Sequence, residues 1–195
     1  MGVGYSCVDM ICMVEDFPVE DSSTHITSRV VQGGGAVATA LVAASRLGTK
    51  CAFIGNIGND IMSDETIRMF QSDGVCTDYM VRRDDCYGLE SIVMVNPANG
   101  SRTKFPQRDY NPPISWDDRL SDVIGGCCIL HLDGTHYENA INVARIAKEH
   151  GVLVSLDGCS MQKDNEKNKI LATMADILIM NSKYPLKVSG KATYD

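Results

Sequence analysis

The chain has 195 residues, 44% of them hydrophobic and 22% charged, with a formal net charge of −7 and a sequence pI of about 5.0. That length suffices for one α/β domain with an ordinary core, and the acidic balance argues against general nucleic-acid binding. No window approaches the roughly 18 apolar residues of a membrane span, and MGVGYSCVDM lacks the basic-then-apolar layout of a secretory leader, so the expected setting is the cytoplasm.

In chain order, VGYSCVDMICMV (3–14) reads as a strand and ITSRVV (26–31) as a short alternating strand broken by Gly33 to Gly35. AVATALVAASRL (36–47) reads as a buried helix, apolar almost all round and stopped by Gly48. CAFIGNIG (51–58) is a strand, and SDETIRMFQSDG (63–74) a helix opened by Ser63 or Asp64 and ended by Gly74. A more β-rich interval follows: TDYMVRR (77–83), GLESIVMV (88–95) and SRTKFP (101–106), with Asn99-Gly100 as a hairpin signal. Its polar–apolar alternation suits a sheet exposed on one face. The βα rhythm then returns, with strands at 127–134, 152–158 and 176–181 and helices at 138–151 and 164–175.

Strands separated by helices imply a mainly parallel sheet with helices on both faces. The 26–31 strand and the hairpin do not fit that sheet and read as a small accessory sheet. Ligands of open α/β sheets lie beyond the carboxyl ends of the strands, and Asp9, Asp60, Asp133, Asp157 and Asn181 all fall at or near expected strand ends. A single strand-end Asp is as readily a turn or helix cap.

The eight cysteines include no C-x-x-C pair, which excludes a zinc ribbon or a dithiol redox motif. Several sit in apolar runs and read as small core residues of a reducing compartment. The glycine run Gly33-Gly34-Gly35 is not a Walker A loop, since no G-x-x-x-x-G-K-[ST] exists, and there is no convincing G-x-G-x-x-G after a first strand.

The stretch from Gly34-Gly35 through Ala36–Ala38, Thr39, Arg46-Leu47-Gly48, CAFI and Gly55-Asn56-Ile57-Gly58-Asn59-Asp60 resembles the ribokinase-type (PfkB) carbohydrate kinase family, motif by motif and in order. The resemblance extends over nearly all 195 residues. It implies an α/β, ribokinase-like three-layer sandwich with a Rossmann-type, mainly parallel sheet and a small β-sheet lid, spread over one incomplete domain at 1–195 with lid segments near 12–32 and 86–110. It implies ATP-dependent phosphorylation of a sugar or nucleoside hydroxyl, with ATP and Mg²⁺ as cofactors and a possible homodimer formed through the lid.

By that resemblance Asp9, Gly34, Gly35, Thr39 and Asp133 bind the acceptor, and Asn181 lies at the nucleotide site. Thr39 stands where the family commonly has Asn, and Tyr184 where it has a Glu that organises metal and phosphate. The family's catalytic base and anion hole belong to a G-A-G-D segment that these 195 residues do not contain. No catalytic residue and no metal ligand is therefore assigned within the chain. A non-catalytic sugar-binding or regulatory protein is the alternative reading, and an unrelated Rossmann-like enzyme the third.

Overall fold

A computed structural model describes residues 1–158 and 163–194. The apolar run expected as one strand over 3–14 is two strands in two sheets: β1 (Gly2–Val3) and β2 (Cys7–Val14). Between them the chain passes through a gap that only glycine fits. A Cβ on Gly4 would lie 2.5 Å from Val37 Cγ2 and 2.7 Å from the Asp133 carboxylate. Hydropathy does not change across this crossing, so the run looks continuous in the sequence.

The remaining elements are β3 (Ile26–Gly34), α1 (Ala36–Arg46), β4 (Cys51–Ile57), α2 (Ile61–Ser72), β5 (Val75–Arg82), β6 (Glu90–Val95), β7 (Arg102–Pro106), α3 (Asp118–Gly125), β8 (Ile129–Leu132), α4 (Tyr137–Glu149), β9 (Leu153–Asp157), α5 (Asn165–Met174), β10 (Ile177–Ile179) and α6 (Lys183–Ser189). A six-stranded parallel sheet runs β10-β9-β8-β1-β4-β5, and a separate mixed sheet runs β3-β2-β6-β7. The second sheet is the expected lid, closed at one edge by the antiparallel β6–β7 hairpin and at the other by β3.

Several expectations shift. The 77–83 segment, placed with the β-rich interval, is β5 and forms an edge of the main sheet parallel to β4. The lid takes in β2 from Cys7 onward, so Asp9 lies inside a lid strand and not at the end of a core strand. Gly33 and Gly34 continue β3, and only Gly35, at φ +105°, breaks it. Helix α2 is opened by Asp60, not by Ser63 or Asp64. Helix α3 went unread, although Asp117 caps it and Leu120 and Ile124 sit one turn apart on its buried side.

Two apolar clusters pack the main sheet. Val3, Ile54, Leu130, Leu132, Val154 and Leu156 meet α3, α4 and α5 on one face, while Cys51, Phe53 and Val75 meet Val37 and Leu41 of α1 and Phe70 of α2 on the other. Cys7, Cys12, Cys51 and Cys86 are buried as expected, whereas Cys128 is exposed; Cys159 lies outside the described residues. Among the described residues, no helix is long and apolar enough to cross a membrane.

Candidate functional site

Gly34 pairs with Cys7 across β3 and β2, and this pairing sets the site. A Cβ on Gly34 would stand 2.2 Å from Asp9 Oδ2 and 3.0 Å from Cys7 Sγ, so the glycine makes room for the Asp9 carboxylate. Cys7 donates its S–H to Asp9 Oδ1 over 3.4 Å. Burial, with the Asp9 charge second, pushes the Cys7 thiol up to about 12, so it remains a protonated donor. Tyr5 lies beside Cys7; its phenol is pushed up by burial first, and its buried hydroxyl lacks a hydrogen-bond partner among the described residues.

Gly35 serves the fold. A Cβ there would meet the Tyr5 carbonyl oxygen at 2.2 Å, in a backbone conformation that side chains rarely adopt. Gly35→Ala is expected to destabilise the chain by about 2–4 kcal/mol, combining dihedral strain with a backbone clash. Gly33→Ala, whose new Cβ would meet only Met69 Sδ at 3.7 Å, should cost under about 1 kcal/mol. Urea unfolding of the two variants checks this; equal losses would contradict it.

A cleft of about 390 Å³ opens between α1, α2 and β3, lined among others by Cys7, Gln32, Gly33, Gly34, Thr39 and Arg68. Thr39 is exposed on the first turn of α1, its N–H bonded to Gly35 O. The structure thus sets both Gly34 and Thr39 along this cleft at the start of α1, whereas Asp9 lies against Gly34 and is not among the residues lining it.

It treats the other expected residues differently. Asp133 is 1% exposed, and its carboxylate accepts the N–H groups of Tyr5 and Thr135 at 2.8 and 2.9 Å. It pins the β1-to-β2 crossing in place from behind the site. Asn181 Oδ1 accepts the Lys183 and Tyr184 N–H groups at the start of α6. Tyr184 is 3% exposed, its ring is packed where a Cβ on Gly158 would come within 2.7 Å, and its hydroxyl donates to Asn168 O. The residue standing in for the family's Glu is thus part of the core. Asp60 is a structural cap: it accepts from Ser63 N–H and from Gly88 N–H, and these bonds outweigh its burial to hold its carboxyl below the ordinary range. Asp157 closes β9.

The sequence reading missed Tyr5 and Cys7, although Cys7 is two residues from Asp9 and so shares its face of the strand. It also missed a pair at the root of the lid. His136 Nε2 lies 2.6 Å from Asp109 Oδ2, joining the segment after β7 to the start of α4. Asn56 Nδ2 donates to Pro112 O, and Ile114 N–H to Asn139 Oδ1, so the same segment is tied to β4 and α4.

The hydrogen bond to Asp109 raises the His136 pKa against the opposing effect of burial. A raised histidine stabilises fully below its unfolded value near 6.5 and loses that contribution as pH climbs through the folded value. His131, which burial pushes down, contributes with the opposite sign, so the readout is a difference. Wild type should exceed His136→Gln in stability by about 1–2 kcal/mol near pH 6, with the gap closing as pH rises above 6.5. Thermal unfolding of both proteins across that range checks it; a gap that widens with pH would contradict it.

With this geometry in place, the comparisons define the class of protein. The family model for pfkB family carbohydrate kinases matches residues 1–189, and the chain belongs to that family. It is 26% identical over 148 residues to ketohexokinase of Mus musculus, covering 76% of this chain and 50% of that protein. It is 27% identical over 158 residues to deoxyribokinase of Salmonella typhi, covering 80% and 51%. Among solved structures, Arabidopsis thaliana ribokinase complexed with ribose and ATP superposes with a TM-score of 0.81 at 22% identity, covering 99% of this chain and 64% of that one. Ribokinase from Thermotoga maritima gives 0.78 at 21%, covering 98% and 63%. The chain thus spans about half the length of these curated relatives and under two thirds of the solved chains.

Proposed function

We propose that this chain is the acceptor-binding and lid portion of an ATP-dependent kinase acting on a sugar or nucleoside hydroxyl. The observation that carries the reading is the Asp9 carboxylate held against Gly34, beside the Cys7 thiol and a buried Tyr5 hydroxyl that has no hydrogen-bond partner among the described residues. A carboxylate can accept from two neighbouring hydroxyls, and a buried phenol without a partner gains from a ligand hydroxyl. Gly34 and Thr39 complete the acceptor contacts. Gly35 and Asp133 act by holding the Tyr5–Ser6 backbone that shapes them. In the same reading the lid covers the acceptor or pairs with a second subunit, since exposed strands invite edge association.

ATP and Mg²⁺ come with the family, yet the described residues offer little to hold them. Asn181 uses its amide oxygen to cap α6, Tyr184 is in the core, and no group of three His, Cys, Asp or Glu among the described residues is placed to hold a metal. No step through either group is assigned to this chain. Its own residues bind and orient the acceptor; the base that takes the hydroxyl proton and the anion hole that stabilises the phosphoryl group lie outside these residues. The alternative is a non-catalytic sugar binder. The test is calorimetry of the chain against ribose, deoxyribose, fructose and adenosine. Binding of one of them that is lost in Asp9→Ala supports the acceptor site; no binding by any sugar or nucleoside overturns it.

A further inference from the structure

The chain passes between the main sheet and the lid four times: from β1 to β2, from β3 to α1, from β5 to β6 and from β7 to α3. The first two crossings are locked together, since Asp133 accepts the Tyr5 N–H at 2.8 Å and Gly35 lies too close to the Tyr5 carbonyl to carry a side chain. In the third, Asp60 Oδ2 accepts the Gly88 N–H at 3.0 Å. The partners in these three are backbone groups, which carry no charge at any pH. The fourth is different. Asp109 Oδ2 meets His136 Nε2 at 2.6 Å, and among the described residues this is the one ion pair that contains a histidine.

The loop from Asp133 to His136 therefore holds both the first crossing and the last. The last carries the third with it: Asn111 Oδ1 accepts the Tyr87 N–H at 2.9 Å, Asn111 Nδ2 donates to Tyr87 O, and the Tyr87 hydroxyl donates to Arg108 O. Segments 83–89 and 107–114 thus form one knot at the root of the lid, and His136 is the side chain through which the loop grips it. Other ties from the knot to the body, Asn56 to Pro112 O and Ile114 N–H to Asn139, are neutral. The Asp109 side chain is 12% exposed and that of His136 29%, so the pair is far less screened than an ion pair at the open surface. A cavity of about 40 Å³ lies between the knot and the sheet, lined among others by Tyr5, Asn56, Asp109 and His136, with room for water to take the place of Asp109 at the ring.

We infer that His136 and Asp109 form a charge-dependent latch: with the ring protonated, the root of the lid is clamped to the β8–α4 loop, and loss of that proton loosens the root and frees the lid to move. Two carboxylates face the ring, Asp109 from the segment after β7 and Asp133 from its own loop. Tyr5, which faces Asp109 from the first crossing, stays neutral because burial pushes its phenol up. Tyr87 has its hydroxyl engaged by Arg108 O and the Tyr110 N–H, and the Arg108 guanidinium lies over the Tyr110 ring. Asn56 and Asn139, from β4 and α4, bring no charge. His136 also precedes α4, whose N-terminus disfavours a cation, so a ring parted from Asp109 gives up its proton readily. The clamped ring therefore holds its proton more tightly than the parted one. The clamp is complete below the parted ring's value, no higher than about 6.5, and weakens as pH rises through the clamped value. A neutral ring can still donate to Asp109, so the clamp weakens without vanishing. Where the lid covers an acceptor, the same latch sets how readily that acceptor enters and leaves, but the latch does not rest on the acceptor-site reading.

The test is amide hydrogen exchange of the dilute, sugar-free chain between about pH 5.5 and about pH 8, with each rate corrected for the intrinsic pH dependence of exchange. The reporters are the amides of 107–114, Ile114 among them, read as a ratio to β4 and β5 of the main sheet, which follow global stability. Reporter protection relative to the main sheet should fall about tenfold as pH rises across that range. In His136→Gln the ratio should be low and flat. Asp109→Asn should behave alike, since asparagine keeps the oxygen that accepts the Asn111 N–H and loses the charge. The double variant should lose no more than either single one, because both remove the same pair. A wild-type ratio that is flat with pH marks a plain structural tie and overturns the inference. So does a ratio that still falls with pH in His136→Gln, or protection lost equally in 107–114 and in β4 and β5. Since no sugar enters the measurement, failure of the latch leaves the acceptor-site reading standing, and failure of that reading leaves the latch.

Discussion

Asp9→Ala is expected to weaken sugar binding at least 100-fold. Two hydrogen bonds from sugar hydroxyls to one carboxylate are worth about 1.5–3 kcal/mol each, and every 1.4 kcal/mol is tenfold in affinity. The fold should survive, because the carboxylate is half-buried, lies over a glycine and accepts from the Cys7 thiol, with no buried cation left unpaired. Nucleotide affinity, measured in a form of the protein that binds ATP, should change little. Asp9→Asn should lose less than Asp9→Ala, since the amide oxygen still accepts while its nitrogen does not. Calorimetry with unaltered circular dichroism checks the result. Sugar affinity equal to wild type in Asp9→Ala would show that the acceptor binds elsewhere.

The second large effect concerns what covers the far side of the main sheet. On the face shared with α1, Ile129 is 42% exposed, Leu153 47%, Ile177 40% and Ile179 55%, and these residues are neighbours across β8, β9 and β10. On the opposite face of the edge strand, Leu178 is 38% exposed. An apolar edge strand exposed on both faces is a site for another strand to pair, and the apolar face inside it calls for a covering helix. The 195 residues alone are therefore expected to show no sugar kinase turnover above background and to associate through β10 with time and concentration. A version extended through a downstream reading frame carrying G-A-G-D should be monodisperse and active. The loss in the short form should be complete within detection, since a missing base and a missing anion hole each cost about a hundredfold or more. The assay is ATP turnover over a panel of sugars and nucleosides, with light scattering on both forms. Turnover by the short form would require a base among the residues present here; a stop codon directly after the chain would favour the sugar-binding alternative.

Much of this was legible in the sequence, for reasons that are local. Alternating apolar strands and capped helices specify a parallel sheet because each element announces its own period and its own ends, as Gly48 and Gly74 do for α1 and α2. Asn99-Gly100 marks the β6–β7 hairpin because its φ, +70° at Gly100, is a property of the turn alone. The family, too, was readable, since motif order along a chain needs no third dimension. What only the tertiary structure decided is where the chain changes sheet and which polar groups remain free for a ligand. The run from Val3 to Val14 is apolar on both sides of Gly4, so nothing in it shows that Cys7 onward joins the lid; that follows from the fit of Gly4 between Val37 and Asp133. Asp9 and Asp133 are the same residue type at similar-looking positions. One carboxylate is left against Gly34 with a thiol donor, and the other is buried and accepts two backbone N–H groups, because one of those partners, Tyr5, lies 128 residues away and is brought there by packing and not by sequence.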